Sequence, residues 1–202
     1  MTKHSRFWLA HELRTRPLVP QYAEPDDFSG IVAVTACPFN CYLRGQPPDE
    51  TNAAIARIAA DYSEHYKVPL IGQWEHTNIL RRMYLPVIEF QSEDGERVQS
   101  QRLIQWQART LRMFAKNGKP PKVATVGMPE HLGRVVALQE YFGLNPKVVP
   151  ESAHVPYDPW DRPGAQDWCK DREIFSKYEK PRTRILTAGK SFAMPWEFAR
   201  SF

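Results

Sequence analysis

Four short apolar runs along the chain predict strands, because each is a continuous stretch that contains β-branched or other aliphatic residues. Their sequences are GIVAVTAC (30–37), KVPLIGQW (67–74), KVATVG (122–127) and PKVVP (146–150). The first has the composition of a central parallel strand that is buried on both faces, and the second also predicts a buried strand. The other two runs predict the third and fourth strands of the sheet.

Helical spacing of apolar residues fills most of the gaps between these runs. Asp49 is predicted to cap the first helix, and Gly143 is predicted to end the helix that runs from Glu130 to Phe142. A long helix is predicted from about Val98 to Lys116, with apolar positions at Leu103, Ile104, Leu111 and Phe114. A last helix is predicted over Ala165 to Tyr178.

The segment from Glu75 to Asp94 allows two interpretations. Its sequence ILRRMYLPVIEF fits a short helix followed by either a strand or a loop. Pro86 argues against a central strand there, because proline cannot donate the backbone hydrogen bond that such a strand needs.

Alternation of strands and helices predicts an α/β fold: a three-layer, Rossmann-like open parallel sheet with helices on both faces. Prolines interrupt the first residues, so 1–28 is predicted to be an N-terminal arm or short helix. The α/β domain is predicted to span 29–180. The remaining residues, 181–202, are predicted to be an aromatic tail that packs on the domain or on a partner.

Composition narrows the function classes only slightly. The chain has 202 residues, 42% of them hydrophobic, and a formal net charge of +4, which fits one globular domain with a mildly basic surface. Three cysteines make neither a disulfide framework nor a metal cluster, so no metal is predicted. The chain shows no signal peptide and no membrane-spanning run, and a cytoplasmic location is expected.

Open parallel sheets bind ligands outside the carboxyl ends of their strands. The residues at or just after each predicted strand end are therefore candidate site residues. Most residues at or just after the four predicted strand ends are polar or ionisable. In strand order they are Thr35, Cys37, Asn40 and Arg44; Gln73, Glu75, His76 and Thr77; Gly127, Glu130, His131 and Arg134; and Glu151, His154, Tyr157 and Asp158.

The third of these groups gives the most specific hypothesis. His131 and Arg134 are three residues apart, so they share one face of the predicted helix. Free backbone N–H groups and the positive dipole end at a helix N-terminus favour an anion. Arg134 would bind a phosphate or carboxylate, and His131 would donate a hydrogen bond or move a proton. Alternatively, His131 caps the turn and Arg134 pairs with a surface acid.

Other candidates each have a structural alternative. Glu75 and His76 could form an acid/base pair, or they could be turn residues. Cys37 could be a nucleophile, although a buried cysteine at a strand end is more common. The long helix begins near Ser100 and Gln101, which either contact a ligand or, in the case of Ser100, cap the helix.

The sequence ATVGMPEHLGR resembles the Thr…His-x-x-Arg motif of the YdcF-like family of small α/β domains, which includes SanA- and ElyC-type proteins. Thr125, His131 and Arg134 occupy the matching positions, and Ser100 in VQSQRLIQWQ matches an earlier helix motif. The similarity spans roughly 30–178. It implies a Rossmann-like fold and a nucleotide-like ligand, with S-adenosylmethionine as one candidate cofactor.

These observations lead to one leading hypothesis and two alternatives. The leading hypothesis is a binding protein or enzyme, a transferase or hydrolase, that takes an anionic or nucleotide-like small molecule. His131, His76 and Glu75 would be catalytic. The ligand-binding residues would be Arg134, Thr125, Gly127, Glu130, Arg44, Asn40, Thr35, Ser100 and Gln101. The alternatives are a nucleic-acid-associated protein that uses a basic arm, and a non-catalytic module whose aromatic tail docks on a partner or a second copy.

Overall fold

A computed structural model describes residues 9, 12–13, 15–17, 19–38, 49–73, 79–80, 87–90, 100–115 and 118–157 of the chain. Five strands lie within these residues: β1 (Ala33–Ala36), β2 (Leu70–Gln73), β3 (Val87–Phe90), β4 (Lys122–Val126) and β5 (Asn145–Val148). The helices with defined bounds are α1 (Glu50–Tyr66), α2 (Ser100–Leu111) and α3 (Pro129–Tyr141), and short 3-10 turns cover Pro25–Phe28, Arg112–Phe114 and Pro150–His154.

All strand pairs are parallel, and the strand order is β3-β2-β1-β4-β5. The chain builds outward from β1 to β3 on one side, then crosses over to place β4 on the other side of β1. The order of strands therefore reverses between β1 and β4, which is where open α/β sheets form their ligand crevice.

Helices cover both faces of the sheet, as the apolar patterns predicted. On one face, Val34 and Leu70 pack with Ile55 and the alanines of α1. On the other, Ala33, Ile71 and Val123 pack with Ala108 and Leu111 of α2, while Val135 of α3 packs with Ile104 and Cys37. The predicted three-layer α/β architecture is confirmed.

The two residues that the sequence assigned to helix ends, Asp49 and Gly143, are confirmed in those positions. The Asp49 carboxylate accepts a hydrogen bond from the backbone N–H of Asn52 at 2.7 Å, so it caps α1. Gly143 follows α3 with φ of 88°, a left-handed conformation that glycine adopts without steric cost. The long helix is shorter than predicted: α2 ends at Leu111, because the residues after it are exposed and have no core to pack against.

The segment from Glu75 to Asp94, for which the sequence allowed two interpretations, contains a strand at the edge of the described sheet. β3 begins directly after Pro86 and pairs only with β2 in the described sheet, so it has an edge position. The predicted last helix, Ala165 to Tyr178, and the aromatic tail lie outside the described residues.

The N-terminal segment belongs to the core on the side of α2 and α3. Leu9 and Leu13 are 0% and 1% exposed and pack with Ile104 and Val135. Arg16 forms ion pairs with Glu12 at 2.5 Å and with Glu140 of α3 at 2.6 Å. This segment is therefore a packed part of the fold where the structure describes it, and Arg16 of the basic arm is engaged within the protein.

No helix in the described part of the chain combines the length and the apolar character needed to cross a membrane.

Candidate functional site

The carboxyl ends of β1 and β4 lie side by side at the reversal of strand order. Ala36 and Val126 are partners in the register, and the Cys37 backbone N–H donates to the Val126 carbonyl at 2.9 Å. The chain then enters α3 through Gly127 and Met128. The predicted site therefore begins where the order of strands reverses, at the carboxyl ends of β1 and β4.

The N-terminus of α3 is formed by Met128 and Pro129. Met128 is the extended N-cap residue and its side chain makes no capping hydrogen bond, while Pro129 in the first turn has no N–H to satisfy. The positive end of the helix dipole thus points to the strand-end junction.

His131, Arg134 and Ser100 form a hydrogen-bonded chain above this junction. The Arg134 guanidinium lies 3.0 Å from Nδ1 of His131, and Nε2 of His131 lies 3.3 Å from the Ser100 hydroxyl oxygen. A guanidinium has only donors, so Nδ1 must accept the hydrogen bond from Arg134. The proton of the neutral imidazole is then on Nε2, which donates to Ser100.

This chain joins two helices. Ser100 is the first described residue of α2, and His131 lies in the first turn of α3. His131 is 5% exposed, whereas Arg134 is half-buried. The positive end of the α3 dipole and one guanidinium therefore meet at the same edge of the sheet, which is an environment that favours an anion.

Glu130 brings one negative charge to the same helical turn. Its side chain is buried at 9% exposure and lies close enough to Tyr22 for its charge to act on the phenol. Burial raises the pKa of Tyr22, and the Glu130 carboxylate raises it further. An acid in the first turn stabilises α3 through the helix dipole. Glu130 thus faces the N-terminal segment that carries Tyr22.

Thr35 and Thr125, both predicted to bind ligand, lie inside the interface between the sheet and α3. Both are fully buried, and Gln139 of α3 bonds to each of them. Thr125 donates to the Gln139 carbonyl oxygen at 2.9 Å, and the Gln139 amide donates to the Thr35 hydroxyl at 3.0 Å. The two hydroxyls are used within the protein, so they hold α3 on the sheet instead of facing the strand-end edge.

Gly127 and Cys37 also have structural roles. A Cβ atom on Gly127 would lie 3.1 Å from the Leu132 side chain and 3.6 Å from Cys37, so glycine permits the close approach of strand and helix. Cys37 is 1% exposed, and burial raises the pKa of its thiol to about 12. A thiol that stays protonated is a poor nucleophile, so the structure gives Cys37 the common role of a buried core residue.

The segment after β5 lies against α1, on the opposite face from α3. Tyr62 of α1 donates to the Glu151 carboxylate at 2.8 Å, and Thr51 of α1 donates to the Pro156 carbonyl at 2.8 Å. Glu151 is therefore directed to α1 instead of the junction of β1 and β4, and His154 is exposed.

Several predicted residues lie outside the described part of the chain: Asn40, Arg44, Glu75, His76, Thr77 and Asp158. Gln101 lies in the first turn of α2, and its side chain is also outside the described part. Of the predicted site residues that are described, His131, Arg134 and Ser100 come together.

Sequence reasoning missed two buried glutamines. Gln139 bonds to both threonines, and Gln107 is fully buried in the middle of α2. A signal for Gln107 exists in the sequence: it lies three residues after Ile104 and four before Leu111, which places a polar residue on the apolar face of the helix.

Comparison of this chain with protein-family models, with curated proteins and with solved structures found no match. The YdcF-like resemblance thus stays a prediction from sequence motifs.

Proposed function

We propose that this protein binds an anionic, nucleotide-like small molecule at the carboxyl edge of its sheet, between the N-termini of α2 and α3. The observation that carries the proposal is the hydrogen-bonded chain from Arg134 through His131 to Ser100 at the β1/β4 junction. A cytoplasmic location accompanies this proposal as an expectation from the sequence.

Arg134 would be the main anion ligand. Its guanidinium has five N–H donors, its side chain is only half-buried, and one terminal nitrogen lies 3.0 Å from Nδ1 of His131. A planar guanidinium that a neighbouring ring holds in place loses less conformational freedom when it binds a phosphate or carboxylate.

His131 would orient Arg134 instead of transferring a proton. Both of its ring nitrogens are engaged, one by Arg134 and the other by Ser100, and the ring is almost fully buried. This arrangement favours a binding role over acid/base catalysis. Transferase or hydrolase chemistry would need further groups, such as those expected at Glu75 and His76.

The test is a thermal-shift titration with inorganic phosphate, sugar phosphates, nucleoside monophosphates and S-adenosylmethionine. A ligand that binds only the folded state raises the unfolding midpoint, and the rise grows with the logarithm of the ligand concentration once that exceeds Kd. Arg134→Ala removes a charge-assisted contact, so we expect its affinity for the anion to fall about 10- to 100-fold.

Arg57→Ala is the matched control, because Arg57 is exposed on α1 at the opposite face of the sheet. Each variant is first compared with the parent without ligand, so that a loss of stability is not read as a loss of binding. Unchanged anion affinity in the Arg134→Ala, His131→Ala double variant would show that the ligand binds elsewhere.

A further inference from the structure

Gln107 has no hydrogen-bond partner for either end of its amide, although its side chain is completely buried. Both Oε1 and Nε2 lack a partner, and the residue is 0% exposed. Gln139, equally buried, has both ends of its amide bonded to the threonines of β1 and β4. Buried polar groups in folded proteins are normally hydrogen-bonded, and the described part of the chain provides no partner for the Gln107 amide.

A second buried amide lies at the carboxyl end of β2. Gln73 is 2% exposed, and its Nε2 has no partner. Because alternate residues of a strand share a face, Gln73 is on the same side as Ile71, which packs with Ala108 and Leu111 of α2. The unpaired Gln73 donor therefore lies on the face of the sheet that α2 covers.

Aromatic rings adjoin this position. Phe90 of β3 is the register partner of Gln73, and its ring contacts the Trp106 ring with centroids 5.1 Å apart. Trp106 immediately precedes Gln107 in α2. The unpaired Gln73 donor and two aromatic side chains thus border the interface between α2 and the strands β2 and β3. Gln107 shares the buried face of α2 with Ile104 and Leu111, which are three residues before it and four after it.

The interface connects to the anion site through one face of α2. Ser100 and Gln107 are seven residues apart, so they lie on the same face of the helix, separated by about 10 Å along its axis. Ser100 contacts His131. A nucleoside monophosphate spans such a distance between its phosphate and the hydrogen-bonding edge of its base.

We propose that Gln107 and Gln73 bind the edge of a nucleobase-like ring, and that this ring enters between α2 and the β2–β3 side of the sheet. A carboxamide presents a donor next to an acceptor, which matches the adjacent acceptor and donor on the edge of a base. Phe90 and Trp106 provide aromatic surface beside it. This inference rests on the proposed function, because it identifies the uncharged part of the same ligand.

The decisive experiment compares ligands with and without a base. Binding of the monophosphates of adenosine, guanosine, cytidine and uridine is measured by calorimetry beside binding of ribose 5-phosphate. We expect at least one nucleotide to bind about tenfold or more tightly than ribose 5-phosphate, and Gln107→Met to abolish that advantage while leaving ribose 5-phosphate affinity unchanged.

The stability of the ligand-free protein provides an independent readout. Gln107→Met removes two unsatisfied polar atoms from the core and keeps a similar volume, so we expect the midpoint of thermal unfolding to rise by roughly 2–4 °C. Gln139→Met should lower it, since it breaks the bonds to Thr35 and Thr125. Gln105→Met, at a half-buried position on the other side of α2, should change neither stability nor binding.

The outcomes separate this inference from the proposed function. Equal affinity for nucleotides and ribose 5-phosphate, both dependent on Arg134, would overturn the base site and leave the anion site intact. A nucleoside monophosphate that binds through Gln107 but without dependence on Arg134 would support the base site and contradict the anion site. A Gln107→Met variant that binds every nucleotide as well as the parent would overturn the role of Gln107 in binding the base.

Discussion

Three buried glutamine side chains differ in whether the fold provides partners for their amides. Gln139 is fully paired, the Gln73 amide has an unpaired Nε2, and Gln107 is unpaired at both ends. An unpaired buried amide costs free energy that a paired one does not, so a folded protein retains it where something else compensates. The pairing of these residues thus divides the interior into a structural part beneath α3 and a candidate ligand-binding part beneath α2.

The structural part is tested by Thr125→Val. Valine has nearly the same shape as threonine but leaves the Gln139 carbonyl oxygen without the donor that now lies 2.9 Å away. We expect the free energy of unfolding in denaturant to fall by roughly 1–3 kcal/mol. The same substitution at Thr110, which is half-buried on α2, should change it by less than about 0.5 kcal/mol. Equal effects at the two positions would contradict a role for the buried bond.

Among the elements, the N-terminal segment contributes buried side chains to the core in the part that the structure describes. Leu9 and Leu13 pack against α2 and α3, and the Arg16 ion pair with Glu140 joins the segment to α3. The segment continues past Ala23, whose backbone N–H donates to the Val148 carbonyl of β5 at 2.9 Å. It thereby connects the helical layer with an edge of the described sheet.

Leu13→Ala tests this role. Leu13 is 1% exposed, so its truncation removes buried apolar surface and leaves a cavity, and we expect a loss of about 2–5 kcal/mol in the free energy of unfolding. Val19→Ala is the control, because Val19 is 40% exposed. A Leu13→Ala variant with unchanged stability would mean that the segment does not contribute to the core.

For the whole molecule, the titrating groups in the core predict how stability depends on alkaline pH. Burial raises the pKa of Cys37 from 9.0 to about 12, and burial and the hydrogen bond to Glu151 raise the pKa of Tyr62 above 10.0. Both groups are neutral when protonated, so between the ordinary and the raised pKa the folded state retains protons that the unfolded state releases. Their stabilising contribution is complete below about pH 9 and is lost as the pH rises.

We therefore expect the free energy of unfolding to decrease from pH 9 to pH 11.5, with each group contributing up to about 1.4 kcal/mol for each pH unit within its own window. Tyr62 is only half-buried, so solvent reduces its share. Urea unfolding at a series of pH values measures the slope. Cys37→Ala should flatten it from pH 9 upward and Tyr62→Phe from pH 10 upward. A slope that neither variant changes would assign the pH dependence to other groups.

The arrangement of charge on the whole molecule bears on the alternative hypothesis of nucleic-acid binding. The net charge of +4 is small for this class of protein, and Arg16 of the proposed basic arm is held by two carboxylates. Nothing in the described residues adds to that hypothesis.

The sequence by itself determined the α/β class, most of the described helices and strands, and the position of His131 and Arg134 on one face of a helix. These features depend on local chain properties: continuous apolar runs, helical spacing, the Asp49 cap and the Gly143 terminator. The three-residue spacing of His131 and Arg134 suffices to place both on one face of a helix. Pro86 also indicated that the strand in its segment would not be central, and β3 lies at the edge of the described sheet.

Only the tertiary structure decided the strand order, the junction of β1 with β4 and the contact between Ser100 and His131. It also showed that Thr35, Thr125 and Cys37 are used within the core, and that Gln107 is buried without a partner. The physical reason is that each of these properties depends on which residues, distant in sequence, become neighbours. Local patterns predict that a residue faces inward, but the availability of a hydrogen-bond partner depends on the packing of the other layers.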